Sequence, residues 1–402
     1  MTMTDKLDRP ILDIDPFGRE SMDNPLELDR AIREAGPVAW VPKYGFWITG
    51  QDEVIREVFQ DWRRFTSAMG TGLTNVLREE PWRTPSVILE ADPPIHTPNR
   101  KVLSRVLSAA ALRKLTDDFR AEAERMVDAL VERRRFDIAA DLAFAFPFKV
   151  LPDAVGLQPE GRQHLMPYST LNFNAMGPKN DLYHAARKIV EENGTFEYVA
   201  RQMAEENLIP GGFGSEIYAA AHAGEITAAE AGMLVRAFIS AGIDTTVFGI
   251  GIAIKALMDN PDQWEALRAD PSLARAAFEE GLRWMAPSPV IGRTTTAPTT
   301  LAGVQLGGEE KVMMWLSAAN RDPLRWENPD AFDIRRRTVG HLSFGTGIHA
   351  CVGQMVARLE AEAVLGALAR KVRRIKPAGE PERVYINWLR GYHSIPVEVV
   401  PA

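Results

Sequence analysis

The sequence predicts a helix-rich α+β fold, mainly α, with its β structure confined to small sheets. Three observations predict it. Apolar residues recur at spacings of three and four, as in Leu103, Val106 and Leu107, and again in Phe119, Ala123, Met126 and Leu130, which places each set on one helical face. Thr227-Ala-Ala-Glu230 forms a capping box ahead of an apolar run that continues to about residue 259, so two free backbone N–H groups are satisfied where a long helix begins. Alternating apolar and polar runs, by contrast, are short and scattered.

Each element can be justified in chain order. Asn24 followed by Pro25 reads as an N-cap and a first helical residue, with the helix running to Ala35 and stopped by Gly36-Pro37. Residues 38–42 and 46–49 read as short strands around Tyr44-Gly45. Helical spacing holds over 99–131 with a break at 108–111, and a further helix is expected over 137–157, ending near Gly156. The run 227–259 is expected to be one helix, a rod on the order of 45–50 Å long by the helical rise, ended by Asn260-Pro261. Asp270-Pro271 opens another, which runs to about Met285. Strands are expected at 293–296 and 304–316, a last helix at 352–371, and a hairpin over 383–400 turning near Gly391.

Composition excludes several classes of function. The formal net charge of −7 makes nucleic acid a poor partner. A single cysteine rules out a disulfide framework within the chain. Residues 1–15 carry six charged side chains and no apolar run, unlike a signal peptide or membrane anchor. The apolar stretch 237–258 is interrupted by Asp244, Thr245, Thr246 and Lys255, which fits a buried helix better than a membrane span. A soluble cytoplasmic protein is expected.

That lone cysteine lies in Phe344-Gly-Thr-Gly-Ile-His-Ala-Cys351-Val-Gly353, a glycine-bearing loop that feeds a helix. A free cysteine is most often an inert core residue. At a helix N-terminus, however, unpaired N–H groups and the helix dipole favour thiolate, the form that binds metal. The glycines allow the backbone to approach a flat cofactor closely.

Three other segments carry chemistry. Glu280-Gly-Leu-Arg283 places an acid and a guanidinium on one helix face; alone, such a pair is usually a solvated surface pair. Ala241-Gly-Ile-Asp244-Thr245-Thr246 puts an acid and two hydroxyls inside an apolar helix. Either the hydroxyls bond back to the preceding turn, or the group moves protons. Asp92-Pro-Pro-Ile-His96-Thr-Pro-Asn-Arg100 sets an imidazole and a guanidinium four residues apart, on one side of a helix start and suited to anionic groups.

Together these motifs, in this order and spacing, resemble the cytochromes P-450 along essentially the whole chain. The resemblance implies one triangular domain over residues 1–402, without a fused reductase, that binds haem b. It implies Cys351 as the axial iron ligand with Phe344 packed beside it, Gly353 following the ligand, and Gly242 leaving room over the ring. His96, Arg100, Arg293 and His349 would hold the propionates. Asp244 and Thr245 would serve oxygen activation. Glu280, Arg283 and Arg336 would form a structural network, with Arg336 preferred to Arg335. Activity would need dioxygen and two electrons from a partner, a [2Fe-2S] ferredoxin or an iron–sulfur/flavin reductase, with Arg358, Arg370, Lys371 and Arg373 as candidate docking charges. A non-catalytic haem sensor or carrier, and a peroxide-driven enzyme of the same fold, are the alternatives.

A closer resemblance is to the bacterial subfamily that oxidises para-substituted aromatic acids such as 4-methoxybenzoate. It is carried by residues 80–94, Phe173-Asn-Ala175, Pro210-Gly-Gly-Phe-Gly214 and Ser240. It implies a pocket in which Arg83 and Ser86 meet the substrate carboxylate, Phe173 packs on the ring, and Leu89 and Ser240 complete the wall. Three positions depart from that pattern: Ala237 replaces a serine, and Met176 and Ile291 replace aromatics. A softer, wider pocket follows, with a lost charge-assisted hydrogen bond worth roughly 1.5–3 kcal/mol. Two substrates then stand level, 4-methoxybenzoate and a lignin-derived 4-alkylguaiacol, each expected to undergo O-demethylation.

Overall fold

The computed structural model describes residues 10–402. The polar N-terminal stretch 1–15 lies mostly outside the described residues. Helices dominate, and the strands gather into one sheet of five and three smaller ones.

Apolar burial organises the molecule around the helices Ala228–Ala241 and Asp244–Asp259. Thr227 caps the first of these as the sequence predicts: its hydroxyl accepts from the Glu230 N–H, and the Glu230 carboxylate accepts from the Thr227 N–H at 2.8 Å. The expected unbroken rod is interrupted at Gly242-Ile243. Helical bonding stops with the Gly242 N–H on the Phe238 carbonyl and resumes with the Val247 N–H on the Ile243 carbonyl. By length and composition 228–259 could cross a membrane, yet 78% of its apolar window is buried inside the protein.

Around this core, the helix Leu165–Met176 packs on Ala228–Ala241. The helix Gln354–Lys371, which follows the cysteine, packs on Thr116–Arg133, Ala274–Trp284 and Asp244–Asp259. Its apolar face, including Val364, Leu365 and Leu368, is fully buried. The five-stranded sheet runs in the order Ala39–Val41, Phe46–Thr49, Lys311–Trp315, Val290–Thr295, Phe65–Thr66. Phe46–Thr49 pairs parallel with Lys311–Trp315, and the other pairs are antiparallel. Arg293 stands opposite Val312 in this sheet and is buried.

Several expectations need correction. Residues 137–157 are not one helix: Arg135–Asp137 is a strand, Ala139–Phe144 a π-helix and Ala145–Val155 an α-helix, closed by left-handed Gly156 as foreseen. Asp137 leaves helical conformation because its carboxylate accepts from the Ala140 N–H and the Ile395 N–H. Asn24 precedes Pro25 but does not cap through its side chain, which donates to the Glu20 carbonyl instead. The C-terminal hairpin is reduced to Glu382–Arg383 against Tyr392–Ser394, while Pro396–Pro401 joins Arg135–Asp137 and Val372–Pro377 in a separate sheet. Beyond Asn260 the chain turns directly into the helix Pro261–Ala269, so Pro261 starts a helix as well as ending one.

Candidate active site

The cysteine loop owes its shape to two glycines in the left-handed region, Gly345 at φ 62° and Gly347 at φ 71°. A side chain at Gly347 would meet the Phe59 carbonyl at 2.7 Å, so glycine is required on both grounds. The loop closes with the Cys351 N–H donating to the Phe344 carbonyl at 2.7 Å. The Phe344 ring lies under the Arg358 guanidinium, 4.6 Å from its centroid.

Cys351 opens onto a cavity of about 210 Å³ between this loop and the interrupted helix pair. Arg83, Ser86, Leu89, Ala237, Ser240, Gly242 and Gly353 share its wall, with Arg100 and His349 at the cysteine side. The sequence predicted a thiol made more acidic by the helix start. In the structure burial pushes the Cys351 thiol up, and this outweighs the Gly353 and Gln354 N–H groups and the Arg100 and Arg358 charges, which pull it down.

Four cationic or imidazole side chains converge beside the cysteine. The His96 and His349 rings lie 4.5 Å apart. His349 Nε2 meets Asp92 Oδ1 at 3.0 Å, while His349 Nδ1 and His96 Nε2 are buried with no partner among the described residues. Burial, then the neighbouring His349 and Arg100, lowers His96 to about 4. Arg293 is almost wholly enclosed, donates to the Gly292 carbonyl at 2.8 Å and is lowered to about 10 by that burial. Arg100 donates to the Ala350 carbonyl. Such a group of desolvated, under-bonded donors is costly unless it meets anions. A flat cofactor carrying two carboxylates, with a metal that the Cys351 sulfur would ligate, would satisfy it. The residues present therefore fit haem.

Across the cavity, three carbonyls left without helical N–H partners by the break are taken by side chains. Thr245 Oγ1 donates to the Ala241 carbonyl at 2.9 Å, and Thr246 Oγ1 to the Gly242 carbonyl at 3.3 Å. The Ser240 carbonyl accepts from Ser169 Oγ and Asn172 Nδ2, both at 3.2 Å. The threonines thus do bond back to the preceding turn, and Thr245 remains partly exposed. Asp244 is fully buried. Burial pushes its carboxyl up to about 7, an effect that the neighbouring Ser169 hydroxyl offsets only in part. Gly242 lines the cavity, but a Cβ there would strike the Phe238 carbonyl at 2.7 Å and Leu151 at 2.8 Å. The approach to the Phe238 carbonyl therefore favours glycine as well.

The far end of the cavity is cationic. Arg83 is not a solvated loop arginine: it pairs with Glu90 at 2.9 Å, with both side chains 10% exposed, and donates to Asn172 Oδ1 at 3.0 Å. Ser86 Oγ accepts from the Ile88 and Leu89 N–H groups. Sequence reasoning missed Arg236, which is buried in the cavity wall and bonded among the described residues only to the Thr84 carbonyl, at 2.8 Å. It also missed Asn172, Glu90 and Asp92. Phe173, Met176 and Ile291 are outside this wall: Phe173 packs into the main core, Met176 lines a smaller cavity behind Arg83, and Ile291 packs against the core beneath the five-stranded sheet.

The Glu280–Arg283 pair is completely enclosed at 2.7 Å, and Arg336 joins Glu280 at 3.2 Å. Arg335 instead donates its N–H to Asp333. The expected docking charges do not form one patch. Arg358 is paired with Glu279, and Arg370 and Lys371 with Glu124. Arg370, Lys371 and Arg373 also sit at the opposite end of Gln354–Lys371 from Cys351, about 25–30 Å away by the helical rise.

Comparison with known proteins agrees with this geometry. The cytochrome P450 family profile matches residues 213–394. The chain is 49% identical to cytochrome P450 CYP199A2 of Rhodopseudomonas palustris, over 98% of this chain and 95% of that protein. It is 27% identical to linalool 8-monooxygenase of Pseudomonas putida, over 94% and 96%. The solved structure of CYP109Q5 from Chondromyces apiculatus matches with a TM-score of 0.81 and 28% identity, covering 97% of this chain and 99% of that one. A thiol beside a cluster of buried, under-bonded basic side chains, on this fold and with these relatives, leaves one assignment: the chain belongs to the cytochrome P450 family and is a haem-dependent monooxygenase.

Proposed function

We propose that this monooxygenase O-demethylates a small para-substituted methoxyaromatic acid of the 4-methoxybenzoate type. The observation that carries the reading is Arg236, a buried guanidinium in the cavity wall with one hydrogen bond among the described residues. A buried cation of this kind calls for an anion. The wall between Arg236 and Cys351 is apolar, through Leu89, Leu103, Leu107 and Phe238, and suits an aromatic ring.

In this reading haem, when bound, supplies dioxygen binding, O–O cleavage and oxygen insertion at the methyl ether. Cys351 holds the iron. His96, Arg100, Arg293 and His349 hold the propionates. Burial holds the Asp244 carboxyl at about 7, so near neutral pH it can pass between its neutral and charged forms and relay a proton. Thr245 fixes its own hydroxyl hydrogen on the Ala241 carbonyl, which leaves its lone pairs free to accept from a water. The product hemiacetal collapses to a phenol and formaldehyde. Electrons come from a separate iron–sulfur or flavin donor in the cytoplasm.

One observation favours the 4-alkylguaiacol instead: Glu90 already neutralises Arg83, and Ala237 offers no hydroxyl. Titrating the ferric protein while following the Soret band separates the two. The acid should give the larger high-spin shift and bind more tightly. A full shift with a 4-alkylguaiacol and none with 4-methoxybenzoate would overturn the acid reading.

A further inference from the structure

Asn172 lies between the two halves of the site. It is 3% exposed and belongs to Leu165–Met176, which packs on the first half of the broken core helix. Its two amide ends face different partners. Oδ1 accepts from Arg83 Nε at 3.0 Å, and Nδ2 donates to the Ser240 carbonyl at 3.2 Å. In an unbroken helix that carbonyl would accept the N–H of Asp244, four residues on. The Ser240 hydroxyl cannot substitute, because it donates to the Arg236 carbonyl at 2.9 Å.

We propose that Asn172 is a positioning residue that couples the cationic end of the cavity to the turn carrying Asp244 and Thr245. This rests on the reading given above for Arg83, Asp244 and Thr245. The amide is planar, so its two ends move together. Glu90 fixes Arg83 from the other side at 2.9 Å, which makes the chain Glu90–Arg83–Asn172–Ser240 carbonyl continuous. Movement of Arg83 toward an entering ligand pulls on Oδ1, and Nδ2 transmits that pull to the carbonyl one turn ahead of Asp244. Ser169 donates to the same carbonyl at 3.2 Å and also bears on Asp244, but no hydrogen bond joins it to Arg83 among the described residues, so it anchors the break independently of Arg83.

The test uses the haem-loaded enzyme without substrate and measures amide hydrogen exchange in the peptide spanning residues 239–247. Asn172→Leu and Arg83→Leu should each speed exchange there on the order of fivefold, as expected for loss of one buried hydrogen bond. The double variant should be no faster than Asn172→Leu alone, because both act through one link. Ser169→Ala should speed exchange additively with Arg83→Leu. If Asn172→Leu does not fold, Asn172→Asp keeps the shape and the Arg83 contact but has no N–H for Ser240, and it should give the same increase. At saturating substrate and with electron donor, the fraction of NADH recovered as product should fall severalfold in the Asn172 variant. Unchanged or slower exchange, or additivity between Asn172 and Arg83, overturns the proposal. Failure of the substrate reading appears instead as an absent Soret shift in the unmodified enzyme, which leaves the exchange result standing.

Discussion

Asp244 and Thr245 occupy one turn but differ in access. The acid is sealed in the core, and the threonine is partly exposed. A sensor or carrier would have no use for a buried acid beside a hydroxyl whose hydrogen is already directed. Thr245→Ala keeps the fold and removes the lone pairs that can hold a water. It should lower product per NADH on the order of tenfold, with hydrogen peroxide released in its place; product and peroxide yields check this. Coupling equal to the unmodified enzyme would contradict the role. At this scale legibility was uneven. The family resemblance singled out Cys351, His96, Arg100, Arg293 and His349, and the structure gathers them beside one another. Asn172 and Arg236 stand beside positions the sequence singled out, Phe173 and Ala237, yet their partners Arg83, Ser240 and Thr84 lie up to about 150 residues away in the chain. Local spacing carries no trace of such contacts.

Among the elements, the capping box and the cysteine helix were legible because their signals are local. The break at Gly242-Ile243 was not. Apolar periodicity continues across it, and the three freed carbonyls are satisfied by side chains whose approach depends on packing. The cysteine helix carries a comparable hidden feature. Glu360 is fully buried, both carboxylate oxygens lack partners among the described residues, and burial pushes it up to about 8. The folded protein then holds a proton that the unfolded chain releases above its ordinary value of 4.5. Stability from this group is full below that value and is lost as pH rises toward about 8. Glu360→Gln should abolish this slope. Urea unfolding should show the variant more stable than the parent by about 1–3 kcal/mol near pH 8.5, with little difference near pH 4. A parent that is more stable at the higher pH would contradict the assignment.

For the whole molecule, helix content was readable and sheet topology was not. Strands of two to six residues draw their partners from far along the chain, as Phe65–Thr66 does from Val290–Thr295 and Arg135–Asp137 from Pro396–Pro401. The Glu280–Arg283–Arg336 network ties distant parts together. Besides Glu280, Arg283 donates to the carbonyls of Asn320, Pro329 and Ala331 at 2.8–3.0 Å, and so clamps the segment leading to the cysteine loop. Arg283→Ala strips the buried Glu280 carboxylate of its bidentate partner, with only Arg336 and the Asp333 N–H left to it, and takes the Arg283 donor from the Asn320 and Pro329 carbonyls. It should destabilise by about 3–5 kcal/mol in chemical unfolding and lower haem retention without touching the cavity. A loss below about 1 kcal/mol, the range of a surface pair, would contradict a structural role.

The central claim is the bond between the Cys351 sulfur and iron. The most direct measurement is the absorption spectrum of the purified protein, reduced under carbon monoxide. Thiolate ligation predicts a Soret maximum far to the red of that of imidazole-ligated haem, lost in Cys351→Ser. A maximum at the imidazole position, or a protein that takes up no haem, would contradict the account.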